Sequence, residues 1–123
     1  MMEFTELELA ALHAMFSERP ELALQLERQL SAATVVEREN TGVGFFTTIA
    51  VPADASPIDI LEPLSGETHA RLPALSTEMG FVLFFGEGHL QTLEGFTYDG
   101  STAALDLANV AFDIVKLPIN RVS

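Results

Sequence analysis

Hydrophobic positions change period once along this chain, from a helical spacing over roughly the first 30 residues to an alternating one afterwards. Thr5-Glu6-Leu7-Glu8 carries the capping-box pattern, in which the Thr5 hydroxyl accepts the Glu8 amide and the Glu8 carboxylate reaches back to the Thr5 amide, so a helix is predicted to start there. Leu9, Leu12 and Phe16, supported by Met15, then supply an apolar stripe at i, i+3, i+7 spacing. Ser17-Glu18-Arg19-Pro20 interrupts it; because proline is tolerated in the first turn of a helix, a second helix is expected to begin here, burying Leu22, Leu26 and Leu30.

From Ala33 the β-branched run Thr34-Val35-Val36 gives strand character up to Glu39, and Asn40-Thr41-Gly42 supplies turn chemistry. Val43, Phe45, Thr47, Ile49 and Val51 fall on one side of the next strand, with Gly44, Phe46, Thr48 and Ala50 on the other. A hairpin of 33–39 with 43–51 follows. Residues 52–65, with Pro52, Pro57 and Pro63, read as a long loop pinned to the body by Ile58, Ile60 and Leu61. A short half-buried strand is expected over 67–72, ended by Pro73. A second hairpin pairs Phe81–Phe85 with His89–Tyr98 around Gly86-Glu87-Gly88. Asp99-Gly100 turns the chain, Ser101 to Asn109 suggests a short helical turn, and Val110 to Leu117 alternates as a last strand. Gly95, in mid-strand, is expected to mark a bulge in preference to a close approach of another group.

Helices first and strands afterwards argue for a single α+β domain over 1–123, with two N-terminal helices packed on one face of an antiparallel sheet of about five or six strands. Two helices cover only one face. Yet Phe81, Leu83 and Phe85 lie on one side of their strand and Val82 and Phe84 on the other, so both faces ask for burial. The second face is expected to be covered by a second copy of the chain, as a homodimer, or by the 52–65 loop or the C-terminus folding over it.

Composition narrows the function classes. Eighteen acidic residues against six basic ones give a net charge of −12, distributed along the whole chain: eight acids to three bases in 1–40, ten to three in 41–123. The scattered cations disfavour nucleic acid as a partner, and the acidity favours solubility or attraction to a basic protein. With no cysteine there is no disulfide, thiolate metal site or cysteine nucleophile. The N-terminal stretch lacks the basic and apolar regions of a signal peptide and no run is long enough to span a membrane, so a soluble cytoplasmic protein is expected.

No recognisable catalytic motif is present, and the residues alone do not name an activity. Glu94 is the candidate acid or base: with Thr92, Phe96, Tyr98 and Leu90 on its side of the strand, it is a carboxylate among aromatic residues, unless Arg38, Arg71 or Lys116 pairs with it. Phe46, Phe84, Phe96 and Tyr98 are the candidate binding residues. His13, His69 and His89 have no metal-ligand spacing, so no metal and no cofactor is expected. The runs Arg38-Glu39-Asn40-Thr41-Gly42-Val43-Gly44-Phe45-Phe46-Thr47, Gly80-Phe81-Val82-Leu83-Phe84 and Leu93-Glu94-Gly95-Phe96-Thr97-Tyr98 resemble an uncharacterised group of small bacterial proteins. The resemblance spans about residues 33–100 and implies a bacterial source but no activity or site residue; in size and acidity the group is also similar to immunity proteins that neutralise toxins.

Two functions are therefore carried forward. The first is a non-enzymatic, acidic, self-associating interaction module, immunity- or inhibitor-like, that binds a basic partner. The second is a small-molecule binder or minor enzyme with a pocket between helices and sheet and Glu94 as its acid or base.

Overall fold

A computed structural model describes residues 2–118. The capping box forms as the sequence demands: Thr5 Oγ1 accepts from Glu8 N–H at 3.0 Å and the Glu8 carboxylate accepts from Thr5 N–H at 2.8 Å, opening α1 (Glu6–Ser17). Its buried stripe is Leu7, Ala11, Leu12, Met15 and Phe16; Leu9 lies beside it, only half-buried. The break at Pro20 is real, but the chain uses Arg19 to Leu22 as a reversing turn, closed by Leu22 N–H to the Arg19 carbonyl at 2.9 Å. Helix α2 therefore starts later than expected, at Ala23–Ala32, and buries Leu26, Gln29 and Leu30, with Leu22 half-buried ahead of it. No described helix is long and apolar enough to cross a membrane.

Six strands follow: β1 (Thr34–Asn40), β2 (Gly44–Ala50), β3 (Thr68–Arg71), β4 (Met79–Gly86), β5 (His89–Thr97) and β6 (Asp113–Lys116). They form one sheet in the order β1-β2-β5-β4-β3-β6, with every neighbouring pair antiparallel. Both expected hairpins are present, and the β2–β5 pairing joins them into the centre of the sheet. The fold is α+β, with the helices N-terminal to the strands. The region 101–109 makes two separate turns, closed by Leu105 N–H to Thr102 O and Asn109 N–H to Asp106 O, and no helix. Its alanines Ala103, Ala104 and Ala108 are exposed, so no apolar stripe exists to hold one.

The tight connection of the second hairpin is the two-residue turn Glu87-Gly88, with Gly86 paired to His89 and both central residues at positive φ, 54° and 80°. These are the backbone signs of a type I′ turn, whose twist matches that of the strands it joins. One residue further on, the register shifts: Phe84 pairs with Thr92 but Phe85 with Leu90, leaving Gln91 as a bulge. The bulge turns Leu90 inward, where it is 2% exposed, and so removes it from the face of Thr92 and Glu94 on which strict alternation had placed it. Gly95 is no bulge. It pairs in register with Phe45 on one side and Phe81 on the other, and a Cβ there would lie 2.4 Å from the Phe45 ring. The glycine is a seat for that ring.

The inner face of the sheet presents Phe45, Thr47, Ile49, Ala70, Met79, Phe81, Leu83, Leu90 and Leu93, all buried, with α1 and α2 packed over it. The 52–65 loop joins the same core. Ile58 and Leu64 are buried in it, and Leu64 ladders along β4 through reciprocal hydrogen bonds with Leu83 at 2.9 and 2.8 Å. Leu61 pins nothing: it is 97% exposed. The connection from β5 to β6 also runs on this side, burying Leu107 beside Leu7 and Phe45. The 52–65 loop is thus not the cover of the second face, and the expectation that the C-terminus closes over it concerns residues 119–123, outside those described.

Candidate functional site

Alternation and register decide which side chains meet on the outer face. Across β2 and β5, Phe46 is opposite Glu94 and Gly44 opposite Phe96; across β5 and β4, Glu94 is opposite Val82, Thr92 opposite Phe84 and Phe96 opposite Gly80. His69 on β3 continues the row of Gly80 and Phe96, and Glu37 and Glu39 of β1 continue the rows of Thr48 and Phe46. Directly opposed residues in an antiparallel pair point to the same face, so Phe46, Phe84, Glu94 and Phe96 share one surface. All the candidate residues read from the sequence gather there, Tyr98 included: its ring packs edge-on against Phe96 with centroids 5.3 Å apart.

That face has no cover among the described residues. Phe46 is 39% and Tyr98 62% exposed, while Val82, Phe84, Glu94 and Phe96 are half-buried. A hollow of about 250 Å³ runs between Ser65, Gly66, His69, Val82, Phe96 and Tyr98. Its floor exists because Gly80 has no side chain: the Phe96 ring lies where a Cβ would stand, 2.4 Å from it.

His69 orients the Tyr98 ring. The imidazole stacks on it, centroids 6.0 Å apart and planes 23° from parallel, with Nδ1 2.9 Å from the Glu67 carbonyl and Nε2 3.1 Å from the Tyr98 hydroxyl. A carbonyl only accepts, so Nδ1 carries a proton and donates to Glu67, while Nε2 shares a hydrogen bond with the Tyr98 hydroxyl. Sequence reading gives His69 as a surface or hydrogen-bonded histidine and no ligand, and it is hydrogen-bonded; its place two strands from Tyr98 depends on the β3–β4–β5 order, which no local pattern encodes.

The cations that sequence reading offered to Glu94 are all taken elsewhere. Arg38 grips Glu8 on α1, Arg71 pairs with Glu78 at 3.3 Å, and Lys116 pairs with Glu18 at 2.8 Å. Among the described residues no cation or hydrogen-bond donor approaches the Glu94 carboxylate within bonding distance. A pocket between helices and sheet has no use for this residue, because Leu93, its neighbour in β5, faces the helices and Glu94 faces away. At the N-terminal end of α1 the gap bounded by Thr5, Leu7, Glu8, Arg38, Phe45 and Leu107 is too tight for a water molecule.

A buried ion pair on the helix side escaped the sequence reading, which had only its capping half. Glu8, read as a capping residue, is 1% exposed, and its carboxylate also accepts two hydrogen bonds from Arg38, Nε and Nη2, each 2.7 Å, and one from the Thr47 hydroxyl. Every lone pair is used, and the hydrogen bonds to Glu8 raise the Arg38 pKa above its ordinary value. A fully satisfied pair of this kind has nothing left with which to bind or react, so its role is structural. The histidines His13 and His89 are likewise engaged, with Glu27 at 2.8 Å and with the Ala55 carbonyl at 2.9 Å. Among the described residues no group of three or more His, Asp or Glu side chains converges as metal ligands do.

No family model, curated protein or solved structure matches the chain.

Proposed function

We propose that this chain is a non-enzymatic interaction module that binds a basic protein through the outer face of its sheet. The observation that carries the reading is the juxtaposition on that face of aromatic residues (Phe46, Phe84, Phe96, Tyr98) with acidic ones (Glu37, Glu39, Glu94). Apolar surface in the centre supplies affinity when it is dried, and charge around it selects the partner and speeds encounter. Four of the five described cations, Arg19, Arg38, Arg71 and Lys116, are committed to ion pairs within the chain, so they are not free for an acidic partner, and the net charge of −12 favours a basic one.

Charge also ranks the occupants. A second copy would bring the same three glutamates and another net −12 to the interface, whereas a cationic partner removes the repulsion. An inhibitor- or immunity-like role toward a basic target fits this arrangement.

The test is a capture experiment on the source-cell lysate at low salt with the wild-type chain and Phe84→Asp, alongside sedimentation of the purified protein. A basic protein that is retained by the wild type, released by salt and lost with Phe84→Asp supports the reading. Equal retention by both chains, or a salt-indifferent complex, overturns it, as does a wild-type homodimer that Phe84→Asp converts to monomer.

A further inference from the structure

Glu94 occupies a special position on the open face. Phe46 is directly across from it on β2, Val82 directly across on β4, and Phe96 two residues along its own strand, on the same face. At about 3.3–3.4 Å per residue, the Phe96 Cα stands roughly 7 Å from the Glu94 Cα on the same face, so a cation held by the carboxylate has an aromatic neighbour along the strand. The carboxylate is half-buried and has no cation among the described residues. Beyond Phe96, the Tyr98 ring meets it at 70°, making an aromatic corner whose orientation is fixed by His69.

Resting on the reading of this face as a docking surface for a basic protein, we propose that the Glu94 site is a subsite for one arginine side chain of that partner. The guanidinium forks onto the Glu94 carboxylate and lies against the Phe96 ring, with Phe46 excluding water from the other side. Arginine is favoured over lysine because its charge is planar, weakly hydrated, stacks on aromatic rings and binds carboxylates through two parallel hydrogen bonds. The Arg38–Glu8 contact inside the core is the same pairing, made within one chain.

The molecule contains its own reporter. Tyr98 is the single tyrosine, and there is no tryptophan, so intrinsic fluorescence arises from the edge of the proposed subsite. Hexa-arginine and hexa-lysine peptides of equal charge are titrated into the wild-type chain, Glu94→Gln and a control, Asp59→Asn in the exposed 52–65 loop, following Tyr98 emission and backbone amide shifts. The arginine peptide is expected to bind about five- to tenfold tighter than the lysine peptide, the range that a cation–π contact plus a forked carboxylate supplies. Glu94→Gln removes that preference, whereas Asp59→Asn keeps it. If both peptides bind equally to the outer face, or if Glu94→Gln keeps the preference, the subsite is overturned while the face remains a docking surface for basic proteins. If neither peptide shifts amides of β2, β4 and β5, subsite and docking face fall together.

Discussion

Arg38 in β1 reaches from the inner face of the sheet to hold Glu8 of α1 through two hydrogen bonds of 2.7 Å, while the same carboxylate caps its own helix through Thr5. One carboxylate thus ties the first turn of the chain to a strand 30 residues away. The consequence for stability is asymmetric. Removing the cation leaves Glu8, at 1% exposure, as an unpaired buried charge. Arg38→Ala is expected to lower unfolding free energy by about 3–5 kcal/mol, the range for breaking a buried pair from one side. Replacing both partners, as in Glu8→Gln with Arg38→Met, is expected to cost less than Arg38→Ala alone. Urea denaturation of the wild type and these two variants checks this, and a double variant no more stable than Arg38→Ala would contradict it.

The two glycine–aromatic contacts predict opposite outcomes for the same substitution. Gly95 seats Phe45, which is 2% exposed and enclosed by the core, so Gly95→Ala forces overpacking and is expected to cost about 1–3 kcal/mol. Gly80 seats Phe96, whose ring lies on the open face and can swing outward. Gly80→Ala is therefore expected to cost less than Gly95→Ala but to alter Tyr98 emission, because Tyr98 rests on Phe96. Thermal melts and fluorescence of the two variants separate the cases; Phe45→Leu should relieve Gly95→Ala.

Glu18, at the end of α1, gives the fold an acid-sensitive latch. Burial alone raises its carboxyl pKa, but hydrogen bonds from Lys116, Thr68 and the Glu67 amide, with the Lys116 charge, outweigh it and hold the group below its ordinary value. A lowered folded pKa means that the stabilisation is complete above the ordinary carboxylate pKa and is lost as pH falls through the folded one. Lys116→Met is expected to flatten that acid limb of the stability curve and, because Lys116 is partly exposed, to cost on the order of 1 kcal/mol at neutral pH. Equal pH profiles for wild type and Lys116→Met would refute the latch.

Glu87 occupies the first central position of the type I′ turn at φ 54°. A side chain with a long unbranched stem is strained in this left-handed region by about 1–2 kcal/mol, and asparagine suffers less because its short amide hydrogen-bonds locally. Glu87→Asn is expected to stabilise the protein by about 0.5–1 kcal/mol. The check is the denaturation midpoint at unchanged slope.

Local signals were legible in the sequence wherever neighbours along the chain decided the outcome. Thr5 and Glu8 announced the helix start, Asn40 to Gly42 and Gly86 to Gly88 announced the two hairpins, and helices before strands announced an antiparallel sheet. What stayed hidden depends on partners far apart in sequence. The Gln91 bulge moves Leu90 to the core, the Phe45 ring explains Gly95, and the strand order brings His69 to Tyr98. Alternation puts Glu94, Phe96 and Tyr98 on one side of their strand, but that Phe46 and Phe84 join them there follows from the β2–β5 and β4–β5 registers. Alternation does not say which face carries the helices, and for that reason the helix-side pocket was assigned to a carboxylate that points away from it.

The outermost strand has a bearing on how the molecule is made. Lys116 donates to the Ala14 carbonyl at 2.7 Å, across 102 positions of sequence. During vectorial synthesis α1 and α2 emerge before the strands they rest on, with their apolar stripes exposed until those strands follow. The hairpins β1–β2 and β4–β5 form from near neighbours, whereas β6 adds to β3 only when residue 116 has left the ribosome. Until then β3 is a bare sheet edge and Glu18 a carboxylate without its lysine, so the nascent chain keeps an adhesive edge until β6 is added.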